Sequence, residues 1–213
     1  MREGRLQPPD ANGMAENDRA KATKGRHMPT KKSVKASVKK AAKPAVKKTA
    51  KSSATKPGLA PGDKAPAFKL SRDDGSAVSL SSFKGRNLVL YFYPKADTPG
   101  CTQEAMDFSR LRTAFAKANT DILGVSADPV VAQAKFKAKH KLGVALASDE
   151  TTTMLQAYGA WGEKSMYGRK FLGVIRSTFL IDGKGRIAGV WPSVKVAGHA
   201  EAVLEAARAL VAD

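Results

Sequence analysis

Cysteine is nearly absent: one thiol, Cys101, stands in 213 residues. A single thiol cannot close an intrachain disulfide, which excludes a small secreted scaffold stapled by bridges. Histidine is almost as scarce, and His27, His140 and His199 show no ligand-like spacing, so neither a metal site nor any cofactor is expected. No apolar run approaches the roughly 20 residues that a membrane-spanning helix needs. The N-terminus lacks the continuous apolar core of a secretory signal. These absences leave a soluble protein of a reducing compartment, with the cytoplasm as the expected location.

Acidic residues are missing altogether from 19 to 62, while the whole chain carries 37 Lys+Arg against 19 Asp+Glu, a formal net charge of +18. Residues 1–57 hold 16 basic and 4 acidic side chains, and residues 58–213 hold 21 and 15. The excess therefore belongs mainly to a tail, whose middle reads KKSVKASVKKAAKPAVKKTAKSSATK. Lysine, alanine, serine and threonine cannot bury enough apolar surface to offset chain entropy, so residues 1–57 are expected to be disordered. In composition the stretch resembles the lysine-rich tail of a linker histone. Two readings stand for it. Dense lysines neutralise phosphates and give salt-sensitive, sequence-independent binding to nucleic acid, which would also suit a nucleus or nucleoid. The other reading is a solubilising extension with no dedicated partner. A start at Met14 or Met28 would shorten the tail, and a start at Met28 would remove all four of its acids. An organelle presequence fits less well, because Glu3, Asp10, Glu16 and Asp18 sit where such signals avoid acids.

Residues 58–213 read as one α/β domain. Segments 67–70 and 77–80 flank Asp73-Asp74-Gly75 and predict a hairpin. Residues 88–93, LVLYFY, form a continuous apolar and aromatic run that suits a strand covered on both faces. From Cys101 to about Ala118 a helix is predicted, with Phe108, Leu111 and Phe115 on one side. Strand 121–126 follows, then a helix opening at Pro129 that carries Val131, Ala134, Ala138 and several lysines, a short strand at 144–147, and a helix over 151–158. The glycine-punctuated stretch 160–173 reads as a long loop, in which Trp161 and Tyr167 either pack the loop or touch substrate. Segments 176–181 and 186–191 bracket Asp182-Gly183-Lys184-Gly185 as an antiparallel hairpin. Helix 199–212 closes the chain with Val203, Leu204, Ala207, Leu210 and Val211 on its apolar side. This order predicts a mixed central sheet flanked by helices, in the manner of a thioredoxin-like fold.

Cys101 falls in the first turn of its helix. There the unpaired N–H groups and the positive end of the helix dipole favour an anion, so a thiol can ionise more readily than a free cysteine. Pro99 and Gly100 suit the sharp passage from loop to helix. Thr98 can place a hydroxyl beside the sulfur, and it also suits a helix cap. A distant cation would complete the site, and Arg176 is the candidate. Each residue has a blander role open to it: Cys101 as a small buried apolar group, Arg176 as a surface residue.

Pro94-x-x-x-Thr98-x-x-Cys101 behind an aromatic strand, together with Arg176 in GVIRSTFLID, resembles the active-site signature of peroxiredoxins. The segments FYPKADTPGCTQEA (92–105) and WGEKSMYG (161–168) resemble the PrxQ, or bacterioferritin comigratory protein, subfamily. The likeness runs from about Leu59 to Leu210. It implies a thiol-dependent peroxidase of hydrogen peroxide and organic hydroperoxides, acting in antioxidant defence and cell redox homeostasis. In that reading Cys101 is the peroxidatic nucleophile and passes through a sulfenic acid. Thr98 holds the peroxide and the thiolate, Arg176 favours the thiolate and stabilises charge as the O–O bond breaks, and Pro94 shields the sulfur. Glu104 would help to orient Arg176.

One departure stands out. Many members of the subfamily carry a resolving cysteine five residues after the first; here Met106 occupies that position. An external thiol such as thioredoxin, glutaredoxin or glutathione is then expected to reduce the sulfenic acid directly, in a monomer. Oxidised dimers joined through Cys101, or accumulation of oxidised enzyme, are the other routes. A peroxide sensor, or a DNA-associated protein tethered by its tail, remains as an alternative function.

Overall fold

The computed structural model describes residues 58–166 and 168–212. The expectations for the basic tail, 1–57, and for Tyr167 lie outside those residues. At the centre of the domain is β3 (Asn87–Phe92), buried at every position. A run of leucine, valine and aromatic side chains with no polar face needs cover on both sides, and its neighbours provide it. β4 (Thr120–Ser126) pairs with β3 in parallel, and β5 (Ala145–Ser148) pairs with β4 in parallel. On the other flank β8 (Ser177–Ile181) and then β9 (Ile187–Trp191) add antiparallel. The hairpin of β1 (Lys69–Arg72) and β2 (Ala77–Ser79) completes a seven-stranded mixed sheet in the order β2-β1-β5-β4-β3-β8-β9.

Successive side chains of a strand point to opposite faces, and β3 therefore seeds two cores. Leu88, Leu90 and Phe92 pack with Leu123, Val125, Phe179 and Ile181 beneath α3 (Thr153–Ala157). Val89, Tyr91 and Tyr93 pack on the other face, beneath α1 (Pro99–Lys117), α2 (Val130–His140) and α4 (His199–Ala212). Full burial of a side chain of the Val, Leu or Phe class stabilises by about 1.5–3 kcal/mol, so this strand is a main source of the domain's stability. Tyr91 stacks on Phe108 of α1 at 4.8 Å between ring centroids and lies over Gly124 of β4. A Cβ at position 124 would stand 2.5 Å from the Tyr91 ring, so the tyrosine needs a glycine beside it.

The structure corrects several expectations. Residues 160–173 are not a loop but an antiparallel arm of β6 (Trp161–Met166) and β7 (Arg169–Val174), registered from Trp161 opposite Val174 to Met166 opposite Arg169. β7 is exposed over most of its length, so it carries no core-facing alternation for the sequence to reveal. Its cross-strand Lys170–Glu163 ion pair at 3.0 Å looks, in sequence, like loop polarity.

The buried side of α2 is formed by residues the sequence reading did not single out. Val131 is 64% exposed and Ala138 is exposed, whereas Gln133 and Phe136 are buried. Gln133 is tolerated because its amide is satisfied: Nε2 donates to Ser126 Oγ at 2.8 Å and to the Ala147 carbonyl at 3.2 Å, and Oε1 accepts from the Tyr93 hydroxyl. Leu80 leaves the second strand for a short 3-10 turn over Leu80–Phe83. Val211, expected on the apolar side of α4, is 53% exposed near the helix end. Helix α1 begins at Pro99, two residues before Cys101.

Candidate active site

The loop 94–98 leaves the C-terminal end of β3 and turns into α1. Thr98 is the N-cap residue, with extended backbone at φ −99° and ψ 152°, and Pro99 follows in the first helical turn. Proline suits that place, since its fixed φ fits the helix and its missing N–H has no partner to lose there. Cys101 follows two residues later, within the first turn, where N–H groups lack intrahelical acceptors. Its side chain is buried, with 1% exposure.

Arg176 reaches this cysteine through strand register. Phe92 of β3 lies opposite Ser177 of β8 and Tyr91 opposite Thr178. Arg176 comes one residue before β8 and shares the face of Thr178, the face covered by α1. From there Nη2 donates to Cys101 Sγ at 3.2 Å, and Nη1 donates to Glu104 Oε2. Gly100 leaves the approach open: a Cβ there would stand 3.3 Å from Nη2. The Arg176 side chain is 16% exposed and that of Glu104 1%, so this pairing takes place largely out of water. Burial raises the Glu104 carboxyl from 4.5 to about 7, with Arg176 opposing the rise. Burial works against the charge of Arg176, but Glu104 and Cys101 outweigh it and hold the guanidinium above its ordinary value. Glu104 Oε1 is buried without a partner.

A neutral histidine supports the same wall. His199 opens α4, is buried, and sits with Nε2 2.8 Å from Thr178 Oγ1, edge-on to Phe108 and Trp191. Burial, and then the nearby Arg176, lower it from 6.5 to about 4. Sequence reading passed it over because nothing in the chain links position 199 to position 178.

Of the expected site residues, Cys101, Arg176 and Glu104 are brought into direct contact. Thr98 is adjacent, but its hydroxyl donates to the Lys95 carbonyl at 2.9 Å. It makes no side-chain cap bond, contrary to the expectation of a capping hydroxyl: its oxygen accepts from no N–H of the first turn. Pro94 is half-buried directly after Tyr93. Met106 is 46% exposed on α1. Trp161 is partly buried and packs against the core beneath α3. Among the described residues no cluster of His, Cys, Asp and Glu is placed to hold a metal ion, and no helix is long and apolar enough to cross a membrane.

Comparison with known proteins converges on one group. The AhpC/TSA family matches residues 61–190. Peroxiredoxin Bcp of Bacillus subtilis is 44% identical over 144 residues, which is 68% of this chain and 92% of that protein. Peroxiredoxin Bcp of Escherichia coli is 40% identical over 146 residues, covering 68% and 94%. Among solved structures, the bacterioferritin comigratory protein of Xanthomonas campestris, described for its alkyl peroxide reduction activity, aligns at TM-score 0.65 with 44% identity, covering 68% of this chain and 92% of that one. A cysteine-to-serine mutant of Xylella fastidiosa PrxQ aligns at TM-score 0.69 with 37% identity, covering 72% and 98%.

Proposed function

The chain belongs to the AhpC/TSA family as a peroxiredoxin of the Bcp/PrxQ kind, a thiol-dependent peroxidase, and on that premise we propose how its residues divide the reaction. Cys101 attacks the terminal oxygen of a hydroperoxide. The O–O bond breaks, the sulfur becomes a sulfenic acid, and the leaving oxygen takes up a proton as water or an alcohol. Arg176 is the electrostatic partner of both steps. A guanidinium can only donate hydrogen bonds, so it meets the sulfur as a donor. The same donors lie beside the oxygen on which negative charge develops. Glu104 holds the guanidinium from behind, Pro94 shields the sulfur, and Thr98 positions the peroxide once its hydroxyl turns from the Lys95 carbonyl. The observation that carries this reading is the Arg176 guanidinium bridging Cys101 Sγ and Glu104.

With no second cysteine in the chain, the sulfenic acid is reduced from outside. One external thiol displaces water to give a mixed disulfide, and a second releases Cys101 and carries the disulfide away. Thioredoxin, glutaredoxin or glutathione supplies these thiols, alkyl hydroperoxides are accepted beside hydrogen peroxide, and the cycle needs only a monomer in a reducing cytoplasm. The test is peroxide consumption coupled to each reductant. Cys101→Ser should abolish it, and Arg176→Ala should lower it by about 10²–10³-fold. Consumption by the serine variant at the wild-type rate, or one oxidation per chain without turnover, overturns the reading. For residues 1–57, lysine density supports salt-dependent attachment to nucleic acid.

A further inference from the structure

A second cavity lies at the end of β3 and β8 remote from Cys101. Leu88 and Ile181 are paired across these strands at the end away from Arg176. They form the floor, and Leu80 and Phe83 of the short 3-10 turn, both partly buried, form one side. The cavity measures about 410 Å³, within the range of roughly 300–1,000 Å³ found for small-molecule sites. Its walls are two loops held backbone to backbone. Gly85 N–H donates to the Gly183 carbonyl at 3.0 Å, and Gly183 N–H donates to Asn87 Oδ1 at 3.2 Å. A Cβ at position 183 would stand 3.0 Å from the Gly85 carbonyl carbon, so this close approach needs a glycine. The chain entering the domain closes the remaining side: Ala65 N–H donates to the Gly185 carbonyl at 3.0 Å, and Lys64 pairs with Arg186 in an isolated antiparallel bridge.

The same loops bring Lys64, Lys84 and Lys184 to the rim, all three exposed. Among the described residues none of them forms an ion pair. The opposing charge in the lining is Asp182, whose Oδ1 already accepts from the N–H groups of Lys184 and Arg186. A fourth cation, Arg86, is committed elsewhere. Its Nε and Nη2 donate to the Asp121 carboxylate at 2.7 and 3.0 Å, and Nη1 donates to Asn119 Oδ1 at 3.2 Å. Three lysines against one carboxylate thus surround an apolar floor. Lysine stems lie along apolar surface while the ammonium groups stay at its edge. An apolar chain fits the floor and an anionic head fits the rim. A bare anion would leave the floor unused, and an uncharged chain would leave the lysines unpaired.

We propose that this cavity is a binding site for a single-chain organic carboxylate. The chain lies over Leu80 and Phe83, and the carboxylate sits among Lys64, Lys84 and Lys184. The site takes no part in the chemistry at Cys101, so it stands or falls independently of the peroxidase reading.

The test is titration of the full chain with octanoate, 1-octanol and acetate, followed by backbone amide NMR shifts. The three probes separate the chain from the charge. Octanoate should move the amides of Lys84, Gly85 and Gly183 as one saturating set. It should bind at least about tenfold more tightly than acetate, which has no chain to bury, and about two- to fivefold more tightly than 1-octanol, which has no charge. Lys84→Gln and Lys184→Gln should each weaken octanoate by about two- to fivefold and leave 1-octanol unmoved. Lys117→Gln, on α1 and outside the lining, should change neither. Ala67→Leu, at an exposed position of the lining, should narrow the cavity and weaken both ligands. The spectrum of each variant without ligand reports its fold in the same experiment. Salt at about 0.5 M should reduce the advantage of octanoate over 1-octanol. Equal binding of octanoate and 1-octanol overturns the proposal. So does octanoate binding that ignores both lysine substitutions, or a set of shifts centred elsewhere on the domain.

Discussion

Replacing Glu104 by glutamine should change how the domain's stability depends on pH. The carboxyl is buried in contact with Arg176, with its second oxygen unpartnered. It stands at about 7 in the folded protein against 4.5 for the free group, chiefly because burial penalises the anion. The folded state therefore holds this proton more tightly than the unfolded chain does. Its contribution is fully present below pH 4.5, is lost as pH rises towards 7, and levels off above. A displacement of that size corresponds to about 3 kcal/mol. For a domain of 150 or more residues, each kcal/mol moves the melting temperature by about 2–4 °C. Glu104→Gln keeps the shape and an acceptor for Arg176 but cannot ionise. The melting temperature of the variant minus that of wild type should thus be larger at pH 8 than at pH 4.5, by about 6–12 °C. Paired thermal melts across this range, followed by circular dichroism, provide the test, and taking the difference cancels groups common to both proteins. A difference that stays flat, or that shrinks as pH rises, would refute the reasoning.

Three further outcomes follow from other parts of the molecule. Gly124→Ala puts a Cβ 2.5 Å from the Tyr91 ring, which should cost about 1–3 kcal/mol in urea unfolding. His199 stands at about 4 in the fold against 6.5 when free, so its contribution is whole above pH 6.5 and is lost as pH falls towards 4. His199→Gln should flatten that acid limb of the melting curve and leave the region above pH 7 unchanged in shape. Removing residues 1–57 should abolish any binding to duplex DNA, and binding by the full chain should weaken steeply between 50 and 200 mM salt; binding that ignores salt would assign the tail another role.

Much of the fold was legible because its strands are buried and its turns carry their own chemistry. Residues 88–93 announced a two-sided strand by having no polar face, and the stretch around Asp182-Gly183-Lys184-Gly185 announced a hairpin. The β6–β7 arm was not legible, since it meets the core only at its base, through Trp161 and Val174, and is exposed along most of β7. Nor was the inward side of α2. The fold buries Gln133 there through hydrogen bonds to Ser126, Ala147 and Tyr93 that no local pattern encodes.

At the site, the same distinction separates what motif spacing can locate from what only packing can create. Cys101, Thr98 and Glu104 share one segment, and their offsets along a helix follow from sequence. Arg176 is 75 positions from Cys101, and without the family resemblance the sequence favoured a surface residue there. Its place is decided by the register of β8 on β3, which sets Ser177 opposite Phe92 and turns Arg176 towards α1. A one-residue slip of that register would carry the arginine to the opposite face, beneath α3 instead of beside Cys101. The antiparallel pairing of β3 and β8 therefore shapes the candidate site as well as the sheet. Residues remote from Cys101 favour it: Phe179 and Ile181 enter the core with Leu88, Leu90 and Phe92, which keeps Arg176 on the opposite face, beneath α1.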